Sequence, residues 1–269
     1  MNKKMTDQEY FSCPELSSSS VKKMITDSPF EVREYIKGNM PQPTGVEIGK
    51  ALHSMLLGGD LVEVSPFDSY RTKEAREWRD SRPASSIVLT QAENFEACKM
   101  ANSIRKLKFN GKPISAIFND LRNQDQTELA CFQSLWGHEF KCKFDAIDIA
   151  NGAIFDLKTT AESSPDGFIK QAGRLLYDVQ QMIYCKIAEA EFQKPFEMYF
   201  IVVSKNIPYD SWIQQIEIDP AIEDQIQIAI ETYAEADRTQ NYLGWGYKIH
   251  RSKVANWALN SRLRWGAAE

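Results

Sequence analysis

The sequence has no run of about 18 apolar residues, the least a membrane-spanning helix needs, which excludes a transmembrane protein of that kind. Its most apolar stretch, residues 196–203, suits a buried strand. Residues 1–11 are polar and lack the apolar stretch of a secretion signal. Cysteine is sparse: Cys13, Cys98, Cys131, Cys142 and Cys185 are widely spaced, with no Cys-x-x-Cys pair. That argues against a zinc ribbon or a four-cysteine iron–sulfur site and for reduced, mostly buried thiols in a cytoplasmic protein. Internal repeats are missing too, and Ser17–Ser20 is the only low-complexity stretch. Nor is there an excess of basic charge, since 37 acidic and 32 basic residues leave a net charge of −5. Taken alone, that balance points away from a nucleic-acid coat or a basic membrane binder.

What is present is ordinary globular material. Of the 269 residues, 43% are hydrophobic and 26% charged, which excludes disorder and collagen-like repeats. Helix start signals crowd the first half. Ser28-Pro29-Phe30-Glu31 is a capping box with proline at the first helical position, and Lys37-Gly38 is a stop. Thr44-Gly45-Val46-Glu47 opens a second helix ending near Gly58-Gly59, and Thr90-Gln91-Ala92-Glu93 a third, through about Leu107. Residues 60–86 read as a polar, Arg- and Lys-rich loop with a short helix. Short alternating β-rich runs follow at 126–133, 139–148 and 153–159. A helix then runs from Pro165 to about Ala190, strands occupy 196–203 and 212–218, and helices close the chain at 221–238 and around 252–259. A helical front, a central sheet and flanking helices predict one α/β (α+β) domain.

The chemistry concentrates in residues 141–160, KCKFDAIDIANGAIFDLKTT. Asn151-Gly152 between alternating runs is a strong hairpin signal. A two-residue turn there sets Ala150 against Ala153 and Lys158 against Asp145, with Asp145, Asp156 and Lys158 on one face. Two carboxylates and an ammonium on one face are costly unless a divalent cation meets them, and oxygen ligands suit Mg²⁺ or Mn²⁺. Lys158 then orients or deprotonates a metal-bound water, and Lys141 and Lys143, on the same face, hold a phosphate backbone. The competing reading is an exposed hairpin face with ordinary ion pairs, because Asp-x-Lys by itself is common. His53, four residues after Gly49, shares a helix face with it, and Gly49 permits close backbone approach. On residues alone, a hydrogen-bonded buried histidine on an apolar helix is the better reading of His53.

Asp145 followed after ten residues by Asp156-Leu157-Lys158 resembles the PD-(D/E)XK nuclease core. Gly49-Lys50-Ala51-Leu52-His53 resembles the Gly-x-x-x-His motif of its RecB-like branch, and Tyr177 to Tyr184 the Tyr-x-x-Gln-x-x-x-Tyr helix. The segment from Leu16 to Pro29, with Ser17, Ser19, Lys22 and Ser28-Pro29, is similar to the N-terminal Leu-Ser-x-Ser…Ser-Pro segment of RecE (exonuclease VIII)-type phage and prophage exonucleases. The resemblance covers roughly residues 16–259. It implies a PD-(D/E)XK core within one domain, 1–269, with a helical N-terminal part at 12–110 and the catalytic sheet and helices at 120–260. It implies His53, Asp145 and Asp156 as ligands of Mg²⁺, with Mn²⁺ able to substitute, and Asp145, Asp156, Lys158 and Gln180 as the catalytic set. Glu128 stands where related nucleases carry a further acid, Tyr177 and Tyr184 are packing residues with a polar tip, and Ser19, opening a helix, lies where a 5′-phosphate end is recognised. Further implied are 5′→3′ degradation of linear double-stranded DNA, a ring-shaped homo-oligomer, a RecT-like annealing partner, and a bacterial cytoplasm with phage or prophage origin. Rival readings are another PD-(D/E)XK endonuclease or helicase-associated nuclease, and a catalytically idle DNA-binding module.

Other patterns fall away. The stretch 45–51 has one residue too few for a Walker loop, and Ala51 replaces its magnesium-binding hydroxyl. Ser19-Ser20-Val21-Lys22 lacks the companion motifs of serine acyl-transfer enzymes. With DNA as substrate, the acidic balance predicts an acidic exterior around an inner channel of Lys141, Lys143 and the basic loop Arg71, Lys73, Arg76, Arg79 and Arg82.

Overall fold

The computed structural model describes residues 2–40, 47–83, 86–247 and 249–253. The Thr44-Gly45-Val46 start of the second capping box, and residues 254–259 of the closing helix, lie outside the described residues.

The chain begins with strand β1 (Asn2–Lys4) and helix α1 (Asp7–Ser12), then α2 (Ser18–Thr26) and α3 (Pro29–Ile36). Helix α3 starts as its capping box dictates, with the Ser28 hydroxyl accepting from Glu31 N–H. Next come α4 (Glu47–Leu57), β2 (Val62–Val64), α5 (Lys73–Asp80), β3 (Ile87–Leu89) and α6 (Gln91–Lys106), opened by the Thr90–Glu93 capping box. A small hairpin, β4 (Lys108–Phe109) and β5 (Lys112–Pro113), leads to α7 (Ile114–Asn123). The central strands are β6 (Thr127–Leu135), β7 (His138–Asp148) and β8 (Ala153–Thr160). Helices α8 (Pro165–Arg174) and α9 (Tyr177–Phe192), strands β9 (Glu197–Ser204) and β10 (Ser211–Gln214), and α10 (Ala221–Thr239) complete the order.

Six strands form one mixed sheet in the order β1-β6-β7-β8-β9-β10, with β8 and β9 parallel and the other neighbours antiparallel. Strict alternation along β9 sends Met198, Phe200 and Val202 to one face and Ile201 and Val203 to the other. On the first face they meet Val21, Phe168, Val179, Ile183 and Ile230 from α2, α8, α9 and α10. On the second they meet Leu52, Leu56, Met100, Ile104 and Phe118 from α4, α6 and α7. A sheet buried on both faces is the layered α/β arrangement the sequence predicts.

Three expectations change. First, the β7–β8 turn spans four residues: Asp148, not Ala150, faces Ala153, so the register moves by two residues. Asp148 accounts for this, because its carboxylate accepts from Asn151 N–H at 3.0 Å and from the Asn151 amide at 2.7 Å. Ile149 N–H is held by Gln126 Oε1 at 3.1 Å. Second, the helix expected from Pro165 to Ala190 is two helices. Leu176 takes a left-handed φ of 51° between them, a conformation that disfavours a branched residue by about 1–2 kcal/mol. Packing of Leu176 against the core holds it there, and no proline or glycine stands at 175 or 176 to announce the break. Third, the strand expected at 212–218 is shorter, and sequence patterning assigned no element between 108 and 125, where β4, β5 and α7 lie.

Gly152 closes the turn at φ +68°, and a Cβ there would stand 2.7 Å from the Pro195 carbonyl oxygen. Gly152→Ala should therefore lower stability by about 2 kcal/mol or more, read as the urea midpoint; an unchanged midpoint would show that the turn relaxes freely.

Candidate active site

Register places Glu128, Asp145 and Asp156 in one row across β6, β7 and β8, and the regular ladder fails in that row. Thr127 pairs with Ala146 and Leu129 with Phe144, but the intervening Glu128 has a left-handed φ of 50°. Along β7, Phe140, Cys142 and Phe144 face the α9-side core, whereas Ala146 faces the α4-side core. The alternation thus breaks at Asp145. Freed from a fixed face, its Oδ2 accepts Leu157 N–H at 2.7 Å, replacing a ladder hydrogen bond, while Oδ1 lies 3.6 Å from His53 Nδ1. The site is built across a defect in the sheet, and not on the smooth single face that alternation predicts.

Two groups of side chains meet there. From the α4 side, His53 Nδ1 lies 3.9 Å from Glu128 Oε1, and His53 Nε2 sits 3.3 Å from the Leu157 carbonyl. His53, Glu128 and Asp145 bring one ligand atom each within 4.8 Å of one another, the one such group among the described residues. From the α9 side, Asp156, 3% exposed, pairs with Lys158 and accepts from the Gln180 amide at 2.7 Å. The Lys158 ammonium rests 5.1 Å from the Tyr177 ring centre. Gln180 Oε1 in turn accepts from Lys22 of α2 at 3.2 Å.

The electrostatics follow from partial burial. Burial pushes the Asp145 carboxyl up to about 7, against the pull of His53. Burial alone would lower His53, but the carboxylates of Asp145 and Glu128 outweigh it and raise the imidazole to about 9. Burial would likewise raise Glu128, yet His53 and Lys143, the latter 2.8 Å away, hold it below the usual carboxylate range. Lys158 is buried but kept charged by Asp156 and Asp145. Lys22 moves the other way, lowered to about 8 by burial and by the neighbouring Lys158.

Of the three ligands the resemblance implies, His53 and Asp145 lie in the ligand group and Glu128 completes it. Asp156 stands in the same row with its oxygens turned to Lys158 and Gln180. Lys141 does not face outward: it is 6% exposed, and its ammonium donates to the carbonyls of Tyr10 and Cys13. Lys143 is committed to Glu128 and to Asp7 at 2.8 Å. Ser19 does not open its helix. Ser17 is the N-cap, its hydroxyl accepting from Ser20 N–H, and Ser19 is exposed on the first turn. Gly49 is not needed for close approach, since a Cβ there would meet Thr159 Oγ1 at an ordinary 3.9 Å. Tyr184 packs edge-on against Phe144 at 5.5 Å. In the basic loop, Lys73, Arg79 and Arg82 pair with Glu77, Asp80 and Glu63. Lys22 is the residue that sequence reasoning passed over as part of the site, although it stands inside the Leu-Ser-x-Ser…Ser-Pro segment.

Residues 17–242 match the family described as a PDDEXK-like domain of unknown function (DUF3799). The chain belongs to this family. Its structure is similar to that of a candidate exonuclease from Eubacterium rectale, with a TM-score of 0.61 at 14% identity, over 96% of this chain and 99% of that one. A phage-related exonuclease from Haemophilus somnus 129PT overlaps more loosely, with a TM-score of 0.37 at 13% identity over 84% of this chain and 96% of that one. No curated protein matches the sequence. The mixed sheet with helices on both faces is therefore a PD-(D/E)XK nuclease-like fold. Among the described residues, no helix is long and apolar enough to cross a membrane.

The donor set fits a small divalent cation. One imidazole and two carboxylates converge at the sheet defect, and the left-handed Glu128 backbone that brings its carboxylate there is strained. Glu128→Gly should accordingly be more stable than Glu128→Ala by about 1 kcal/mol, the reverse of the usual strand order; equal unfolding midpoints would refute the strain. Mn²⁺ binding should tighten from about pH 6 to pH 8, because Asp145, raised to about 7, and His53, raised to about 9, must both lose protons to become ligands. Calorimetry in buffers of different ionisation enthalpy should show proton release, and an affinity independent of pH would overturn the ligand set.

Proposed function

We propose that the protein is a metal-dependent exodeoxyribonuclease of the RecE type, degrading linear double-stranded DNA in the 5′→3′ direction and leaving 3′ single strands. The observation that carries this reading is the His53–Glu128–Asp145 ligand group set beside the Asp156–Lys158 pair. When bound by those three residues, Mg²⁺ or Mn²⁺ supplies a Lewis acid for a phosphoryl oxygen and lowers the pKa of a coordinated water.

The chain's own residues do the positioning. Asp156 and the ring of Tyr177 fix the Lys158 ammonium, whose remaining N–H groups are free to orient the attacking water and meet charge developing on phosphorus. The Gln180 amide braces Asp156, so Lys158 is held between a charged and a π partner with its side chain only partly exposed. Nucleophile and phosphate are thereby aligned before charge develops.

The resemblance of the sequence motifs supports the exonuclease choice, a ring-shaped homo-oligomer enclosing DNA, a RecT-like single-strand annealing partner in phage-type recombination, and action in the bacterial cytoplasm. End-labelled linear duplex with Mg²⁺ tests the reading. Linear DNA should be degraded and covalently closed circles left intact. Asp145→Asn and Asp156→Ala should each lose about a thousandfold or more in rate, roughly 4 kcal/mol of transition-state stabilisation. Cutting of closed circles would make the protein an endonuclease instead, and full activity of Asp156→Ala would refute the assigned site.

A further inference from the structure

The charges around the site divide unevenly. Lys143 is matched by Asp7 and Glu128, and Lys158 by Asp156. Lys22 is different. Its ammonium, half-buried, lies 3.2 Å from the neutral amide oxygen of Gln180 and 5.0 Å from the centre of the Tyr177 ring. Among the described residues, no carboxylate lies within ion-pair distance of it. The Lys158 ammonium contacts the same ring, so two cations gather at one aromatic side chain and Lys158 disfavours the charged form of Lys22.

Nothing in the packing requires this arrangement. Helix α2 is already anchored by Val21 and Met24 in the core and by the Ser17 cap, so the chain could have carried an apolar or neutral side chain at 22 without losing the helix. Asp156 and Asp178 attract this ammonium from beyond ion-pair distance, but burial and the neighbouring Lys158 outweigh them. A partly desolvated ammonium whose direct hydrogen bond goes to a neutral amide, beside a second cation, has room for an anion. Gln180 takes one of its three N–H groups, which leaves donors for an oxyanion.

We infer that Lys22 is a substrate-binding residue that grips a non-bridging oxygen of the DNA phosphodiester on the α9 side of the site, across from the His53–Glu128–Asp145 group. The inference rests on the nuclease reading above. Because Lys22 and Asp156 are the two hydrogen-bond partners of the Gln180 side chain, seating the phosphate on Lys22 is felt at Asp156 and hence at Lys158. Helix α2 thus serves the site directly, carrying to it a cation that no sheet strand supplies.

Binding of end-labelled linear duplex by fluorescence anisotropy, with Ca²⁺ in place of Mg²⁺, separates this role from a structural one. Lys22→Met should raise Kd about tenfold and make the slope of log K against log salt shallower by about one, the loss of one phosphate contact. Lys22→Arg should keep the wild-type slope, because it keeps the charge. Mn²⁺ binding without DNA should stay within about twofold in both. An unchanged slope in Lys22→Met overturns the inference. So does an equal loss of DNA and Mn²⁺ binding in Lys22→Met and Lys22→Arg, which would mark Lys22 as a peg for Gln180. Lys22→Gln repeats the comparison should Lys22→Met fail to fold. A wild-type protein that neither binds nor degrades linear duplex would instead defeat the nuclease reading itself.

Discussion

Three carboxylates on adjacent strands repel one another, and the structure around Glu128, Asp145 and Asp156 is organised by the need to hold them together. Partly withdrawn from water, each needs a cation or a donor at close range, and the fold supplies one to each. Lys158, two residues from Asp156 along the same strand, is local. Lys143 meets Glu128 across β6 and β7, His53 arrives from α4, and Leu157 offers its backbone N–H to Asp145. Gln180 of α9 adds a donor to Asp156 and is itself held by Lys22 of α2. A divalent cation fits the same logic, drawing on the side chains that apo protein must otherwise neutralise with protons and lysines.

Backbone irregularity is the second consequence. A smooth ladder would send Asp145 to one face and leave its carboxylate unable to reach both His53 and the Leu157 amide. The break in alternation along β7 and the left-handed Glu128 beside it solve that geometry at a local cost. A second left-handed residue, Leu176, separates α8 from α9 and sets the start of the helix that carries Tyr177 and Gln180. Both irregularities flank the site, where strain maintained by the surrounding core is most often found.

The legible parts of the sequence were those governed by local rules. Capping boxes at Ser28 and Thr90 announced their helices, alternation announced β6, β7 and β8, and a short apolar run announced β9. Asp156-x-Lys158 with an upstream Asp145 marked the site, and the Gly-x-x-x-His and Tyr-x-x-Gln patterns added His53 and Gln180. What escaped were features that depend on competition between neighbours. Asn151-Gly152 reads as a two-residue turn until the Asp148 carboxylate claims the Asn151 N–H. Lys141 reads as a DNA contact until the N-terminal segment folds over it and takes its ammonium. The net charge of −5 points away from nucleic acid only while it is treated as a single number, because acids at the site itself contribute to it.

The sequence by itself determined most element types and the layered α/β class, and singled out candidate site residues, because propensity, capping and period are set by residues a few positions apart. The tertiary structure alone decided which carboxylates converge with His53, that Glu128 and not Asp156 completes that candidate ligand group, and that Lys22 has no carboxylate within ion-pair distance among the described residues. Those outcomes depend on where distant segments dock, and a half-buried ammonium or a broken ladder has no signature until the groups that surround it are in place.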